Sequence, residues 1–322
     1  MRRRDFIIAG LGSAAAGPLA AQDQRLNRSF RVGVLANEEW PPLNGLRDGL
    51  RDLGYIEGQT LELVNRYAEG YPTRYPGFAR ELVGLPVDVI VTWGTPASLA
   101  AKDATAAIPI IMTSGDPIAV GLVPGLAQPH GNVTGFSTQA AELEGKRLEL
   151  VNELIDGVSS VVVLSNPTNP YCAIAVEHAR QAAAVLKVPV EVVEIGQEQE
   201  LDDAFRSLTR IRPSAVVVVA DPFLASQQPR IAEFLIQSRI PSIYTYREQV
   251  TGGGLISYAT NYYELFRRAA VMADKIRKGS KAGNLPVEQP TKFELVINLK
   301  TAKALGVTIP QSVLARADEV IQ

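Results

Sequence analysis

The chain has 322 residues, 46% of them hydrophobic and 20% charged, with a formal net charge of -2. That length can bury the cores of two lobes, and that composition excludes a disordered chain. There is no basic excess of the kind that binds nucleic acid. A single cysteine, Cys172, and two histidines, His130 and His178, exclude a disulfide framework and a metal centre built from those residues. Neither metal nor cofactor is expected.

Residues 1–21 read as an export signal: a basic start (Arg2-Arg3-Arg4), then Phe6-Ile7-Ile8 and an Ala/Gly-rich run too short to span a bilayer. The Arg-Arg-x-Phe-Ile pattern at Arg3 to Ile7 is twin-arginine-like. No cysteine lies near its end, so the expected product is soluble, exported to the periplasm and not lipid-anchored.

From Phe30, β-branched runs alternate with amphipathic stretches, the pattern of a doubly wound parallel sheet. Strands are expected at Phe30–Ala36, Thr60–Arg66, Val87–Val91, Ile108–Met112 and Gly131–Phe136, and helices at Leu43–Leu53 and Tyr75–Leu85. Within Val87–Lys102, Thr95 sits where an N-cap belongs and Pro96 where the first helical residue belongs. A second series follows, with strands at Ser160–Leu164, Val190–Ile195, Ser214–Ala220 and Ile240–Tyr244. The series match in pattern: Val89 corresponds to Val216, and Ile108-Pro109 to Ile240-Pro241. The expected architecture is α/β, with a first lobe over 30–137, a second over 138–258, and a C-terminal segment over 259–322. That segment is too short to be a domain, so it packs back across the lobes, and part of 260–322 completes the first.

Facing lobes would bring their carboxyl-end loops to one cleft. The first lobe offers Asn37, Trp40, Thr95, Ala97, Ser98, Ser114 and Asp116; the second offers Asn166, Asp221, Tyr244 and Tyr258. The helix start at Thr95, Ala97 and Ser98 suits a carboxylate, Asp116 or Asp221 an ammonium, and Trp40 and Tyr244 an apolar or aromatic side chain. Asp116-Pro117 and Asp221-Pro222 are equally turn and cap signals. No nucleophile elbow, phosphate loop or His-Glu-x-x-His is present, so an enzyme is not expected.

Several short motifs fall in a familiar order: Gly94-Thr95-Pro96-Ala97, Ile108-Pro109-Ile110, Asp116-Pro117, Gly131 to Phe136, Lys146 to Leu150, Asn166-Pro167, Asp221-Pro222-Phe223, Gly253 to Tyr258, and the closing block Pro290 to Lys303. In that order the chain resembles the ABC transporter substrate-binding proteins of the tryptophan/tyrosine-type family. The resemblance implies a type I periplasmic-binding-protein-like fold, with two lobes joined by a multi-strand hinge. It implies a monomer that closes on a small amino-acid-like ligand and delivers it to an ABC permease at the inner membrane. The loop Asn37 to Pro42 departs from the family, being shorter and more acidic. Other occupations of such a fold are a periplasmic sensor input protein and the effector-binding module of a regulator. The second needs a helix-turn-helix where the export signal stands.

Overall fold

The computed structural model describes residues 28–138 and 140–322; the export signal expected over 1–21 lies outside them. The first sheet is built from β1 (Phe30–Ala36), β2 (Leu61–Tyr67), β3 (Val89–Thr92), β4 (Ile110–Ser114) and β5 (Val133–Ser137), in the order β2-β1-β3-β4-β5. Every pairing in it is parallel. Its helices are α1 (Asn44–Asp52), α2 (Tyr75–Gly84) and α3 (Thr95–Ala104). The central strands β3 and β4 are buried throughout, as strands covered on both faces must be.

The chain then passes through α4 (Leu143–Leu154) into the second sheet. This holds β6 (Val161–Ser165), β7 (Val190–Glu194), β8 (Ala215–Val218), β9 (Ser242–Tyr244) and β10 (Ile256–Thr260). The connecting helices are α5 (Pro170–Leu186), α6 (Leu201–Ile211), α7 (Pro222–Ser226), α8 (Gln228–Gln237) and α9 (Arg247–Thr251). The strand order β7-β6-β8-β9-β10 repeats that of the first sheet, so the matched hydrophobic patterns correspond to matched topologies. After α10 (Tyr262–Arg277), β11 (Phe293–Asn298) adds antiparallel to β10. α11 (Leu299–Leu305) and α12 (Gln311–Leu314) follow, and β12 (Glu319–Ile321) pairs parallel with β11. Among the described residues, no helix is long and apolar enough to cross a membrane.

Two local features differ from the sequence expectation. The α3 N-cap is Gly94, not Thr95, and Thr95 is the first helical residue. Gly94 takes φ +88°, ψ 158°, a conformation open essentially to glycine alone, so the turn shifts by one residue. The segment after β8 also forms a helix of its own, α7, because the Asp221 side chain accepts from Leu224 N at 2.8 Å as an N-cap.

The lobes are joined by three crossings. The chain passes from β5 to α4, from β10 to α10, and back along residues 285–292 to β11. On the last, Glu288 N donates to Gly135 O (2.8 Å) and Ser137 N to Glu288 O (2.9 Å), extending the first sheet. The α10 helix does not stay with the second sheet; it packs on α1. Gly45 and Gly49 permit this approach. A Cβ at Gly45 would overlap the Tyr263 carbonyl, and one at Gly49 would stand 2.7 Å from Arg267 O and 2.8 Å from the Ala270 Cβ. Tyr263 Oη donates to Asp48 (2.7 Å) and Tyr55 Oη to Asp274 (2.9 Å) along the same seam. Gly45→Ala is expected to lower stability by about 1–3 kcal/mol, the usual range for overpacking, as the change in urea midpoint at constant slope.

Candidate functional site

The carboxyl ends of the two sheets face each other. Asn37, just after β1, donates from Nδ2 to the carbonyl of Pro222, just after β8 (3.1 Å). Its Oδ1 accepts from Gly70 N (3.0 Å), so one side chain ties the β1 loop, the β2 loop and the second lobe together. After β3, a Cβ on Gly94 would lie 2.5 Å from Pro222 Cγ; after β4, a Cβ on Gly115 would overlap the Tyr171 ring at the start of α5. The lobes therefore meet backbone to side chain at two glycines.

On the first-lobe wall, small hydroxyl residues buckle the β3 and β4 turns to each other. Thr95 Oγ1 and Ser114 Oγ are 2.8 Å apart, Gly94 N donates to Thr113 Oγ1 at 3.0 Å, and Thr113 Oγ1 donates to Thr92 O at 3.2 Å. Ser98 Oγ donates back to Gly94 O (2.8 Å) and lies 2.7 Å from Thr92 Oγ1. On the second-lobe wall, Asp221 organises the turns. Asn166 Nδ2 (3.2 Å) and Asn169 Nδ2 (2.9 Å) donate to it, while Asn169 Oδ1 accepts from Tyr171 N (3.1 Å) as the α5 cap. Burial pushes the Asp221 carboxyl up, and these donors pull it back.

Between the walls is a cavity of about 20 Å³, room for about one water. Thr95, Ser114, Gly115, Thr138 and Asn169 form its polar side, and Trp93, Tyr171, Tyr246 and Tyr262 its aromatic side. Burial pushes the Tyr171 and Tyr246 phenols well up and Tyr262 to about 12, so all three stay neutral donors at physiological pH. Two donors on this lining, Trp93 Nε1 and Tyr171 Oη, are buried with no hydrogen-bond partner in the protein. Buried polar atoms normally have one. Behind Trp93 lies Trp40, stacked on it at 4.0 Å and 6°.

The expected site residues fall into distinct places. Thr95 and Ser114 line the cavity. Asn37 bridges the lobes, Trp40 lies behind Trp93, and Asn166 and Asp221 lie behind Asn169. Ala97 and Ser98 are fully buried within the first lobe. Asp116 turns away, its Oδ1 accepting from Ile118 N (3.2 Å) and Ala119 N (3.0 Å). Tyr244 is buried against Gly254, and Tyr258 sits on β10 with its ring 6.0 Å from that of Phe293. Sequence reasoning did not select Trp93, Gly115, Thr138, Asn169, Tyr171, Tyr246 or Tyr262. The Asn169-Pro170 cap signature and the Asn261 cap mark the helix starts that carry Tyr171 and Tyr262.

Beside the hinge, Glu144 and Arg147 form a fully buried ion pair at 2.7 Å. Arg147 also donates to Ala140 O (3.1 Å) on the β5–α4 crossing and to Tyr258 O (3.1 Å) on β10. Burial lifts the Glu144 carboxyl from 4.5 to about 7, against the pull of Arg147. The folded value lies above the unfolded one, so the folded chain prefers the proton. This contribution to stability is complete below about pH 4.5 and is lost as pH rises through about 7. Thermal midpoints across that interval are expected to show the decline in the wild type, and Glu144→Gln to remove this part of the slope. The glycine contact makes a separate prediction. Gly115→Ala should hold the lobes apart, raising the radius of gyration by small-angle scattering while leaving far-UV circular dichroism unchanged.

Comparison with known proteins agrees with this geometry. Residues 40–321 match the family model described as "ABC transporter substrate binding protein". A "Tyrosine-binding protein" of Clostridioides difficile (strain R20291) is 30% identical over 301 residues, 91% of this chain and 85% of that protein. Among solved structures, an ABC domain from Streptococcus pneumonia in complex with L-Trp shares 29% identity, with a TM-score of 0.84 over 91% of this chain and all of that one. The ligand-free, open structure of a substrate-binding protein with adhesive properties from Clostridium difficile shares 25% identity; it covers the same 91% of this chain and 99% of its own, but the TM-score is 0.63. The family is one of solute receptors, not enzymes, and the two-lobed α/β fold, the facing loops and the family match agree that this chain belongs to the ABC transporter substrate-binding proteins.

Proposed function

We propose that the chain is an exported, monomeric receptor that binds a small amino-acid-like ligand between its lobes and presents it to an ABC permease from the periplasmic side. The observation that carries this reading is the pair of unpartnered donors, Trp93 Nε1 and Tyr171 Oη, beside Thr95, Ser114 and the start of α3. All are neutral donors or the positive end of a helix, and together they suit a carboxylate better than a cation. Asp221, one residue behind Asn169, supplies negative potential toward an ammonium group; Asp116 is engaged in its own turn. The relatives named for tyrosine and crystallised with L-Trp support an amino acid as the ligand class. Delivery to a permease follows from the family, and export from the basic, Ala/Gly-rich start of the chain.

Titration calorimetry of the purified chain with the common amino acids tests the proposal, alongside mass spectrometry of small molecules that co-purify. At least one amino acid is expected to bind, and binding of none would remove the amino-acid reading. Thr95→Val should weaken that binding by about 1.5–3 kcal/mol, the cost of one lost hydrogen bond to a charged group.

A further inference from the structure

Two of the three crossings between the lobes meet at one side chain. On the β5–α4 crossing, Thr138 N donates to Ser114 O (2.8 Å), which ties that end to the first lobe. Two residues on, Ala140 O accepts from Arg147 Nη1 (3.1 Å), which ties the other end to the second. At the end of β10, Tyr258 O accepts from Arg147 Nε (3.1 Å), and Thr260 Oγ1 then donates to Thr138 O (3.5 Å). A hinge absorbs its rotation in a few such residues. One guanidinium therefore fixes the second-lobe end of both crossings.

The Nη1 that holds Ala140 also donates to Glu144 Oε1 at 2.7 Å, and neither side chain is more than 1% exposed. Glu144 Oε2 has no partner in the protein. The carboxyl group thus has one task, which is to aim Arg147. With water excluded, the attraction between the two charges is far stronger than at a surface, so loss of the carboxylate's charge weakens the bond that aims Nη1. No other group replaces that charge. α5 brings Tyr171 and Cys172, both held neutral by burial, and α10 brings Tyr262. β10 brings the Tyr258 carbonyl, while β8 and α12 carry no titratable side chain. Burial places the Glu144 carboxyl at about 7, so its charge changes within the ordinary pH range.

We infer that Arg147 is the positioning residue of the hinge and that the charge on Glu144 sets its grip: with the carboxylate ionised both crossings are pinned and the lobes are held together, and with the carboxyl neutral the pin slackens and the lobes spread. Spreading that parts Arg147 from Glu144 leaves a buried carboxyl without its cation. The spread form therefore takes the proton more readily, and acid favours it. The inference concerns the lobes alone and stands whichever ligand the cleft takes.

Small-angle scattering and tryptophan emission of the purified chain test it between about pH 8 and about pH 6, either side of the Glu144 value. Trp93 lines the cleft cavity and Trp40 stacks on it, and they are the chain's two tryptophans, so emission reads opening. As pH falls, the wild-type radius of gyration should rise and the emission shift to the red. Glu144→Gln should lose that part of both profiles. Histidine changes charge in the same interval, and His178 lines a chamber between the lobes with Asp116, so the reading is the difference between wild type and Glu144→Gln. Arg147→Lys keeps the cation but offers a single nitrogen, and should be expanded at every pH. A pair that served stability alone would move the thermal midpoint and leave the native radius unchanged. No difference between wild type and Glu144→Gln, or a wild-type radius that shrinks toward acid relative to the variant, overturns the inference. Far-UV circular dichroism checks folding. If Arg147→Lys does not fold, the other two decide, since the glutamine amide matches the neutral carboxyl of the wild type in acid.

Discussion

Everything at the cleft depends on two positions where the first lobe offers bare backbone. At Gly94 and Gly115 the absence of a side chain lets Pro222 and Tyr171 come into van der Waals contact across the lobes. Each glycine sits at the end of a buried parallel strand, and its turn is held by hydroxyl groups of the neighbouring turn. The wall is therefore stiff where it must be smooth. Stiffness matters because the lobes close on a surface, and a yielding turn would blur the match between the two walls. Gly94 carries a second burden, since its left-handed backbone sets where α3 begins and so where the helix aims its free N–H groups.

The second lobe answers with a different device. Its turns are fixed by one buried carboxylate, Asp221, that caps α7 and gathers Asn166 and Asn169. The cost of burying that charge is offset by donors on both oxygens. One wall is thus built from uncharged hydroxyls and the other over a buried carboxyl group.

Much of the fold was legible because parallel strands covered on both faces must be continuous apolar runs, as Val161 to Leu164 and Ala215 to Val218 are. The Asp221-Pro222 pair was legible as a turn and cap signal, although α7 itself was too short to show a period. The Gly94 cap was misplaced by one residue because its left-handed conformation is imposed by the packed turn, not by local propensity. The cleft was legible as a set of loops but not as a set of side chains. Ala97 and Ser98 share a turn of helix with Thr95 yet point into the lobe, a matter of helical phase at a start that sequence fixed only to within a residue. Tyr171, Tyr246 and Tyr262 read as ordinary residues next to strands and caps. Only the docking of two lobes makes them neighbours, and no spacing along one chain encodes that.

The crossing of α10 onto α1 also shapes how the molecule comes into being. Tyr263 finds its partner Asp48 across 215 residues of chain. The first lobe therefore lacks its last helix until nearly the whole second lobe has been made. Loop closure over such a separation is slow and gains little until both surfaces exist. The glycine-notched face of α1 must wait uncovered through most of synthesis, so the lobe formed first is completed late. Assembly of the two lobes is one coupled event, in which the same helix that closes the first core also fixes the hinge.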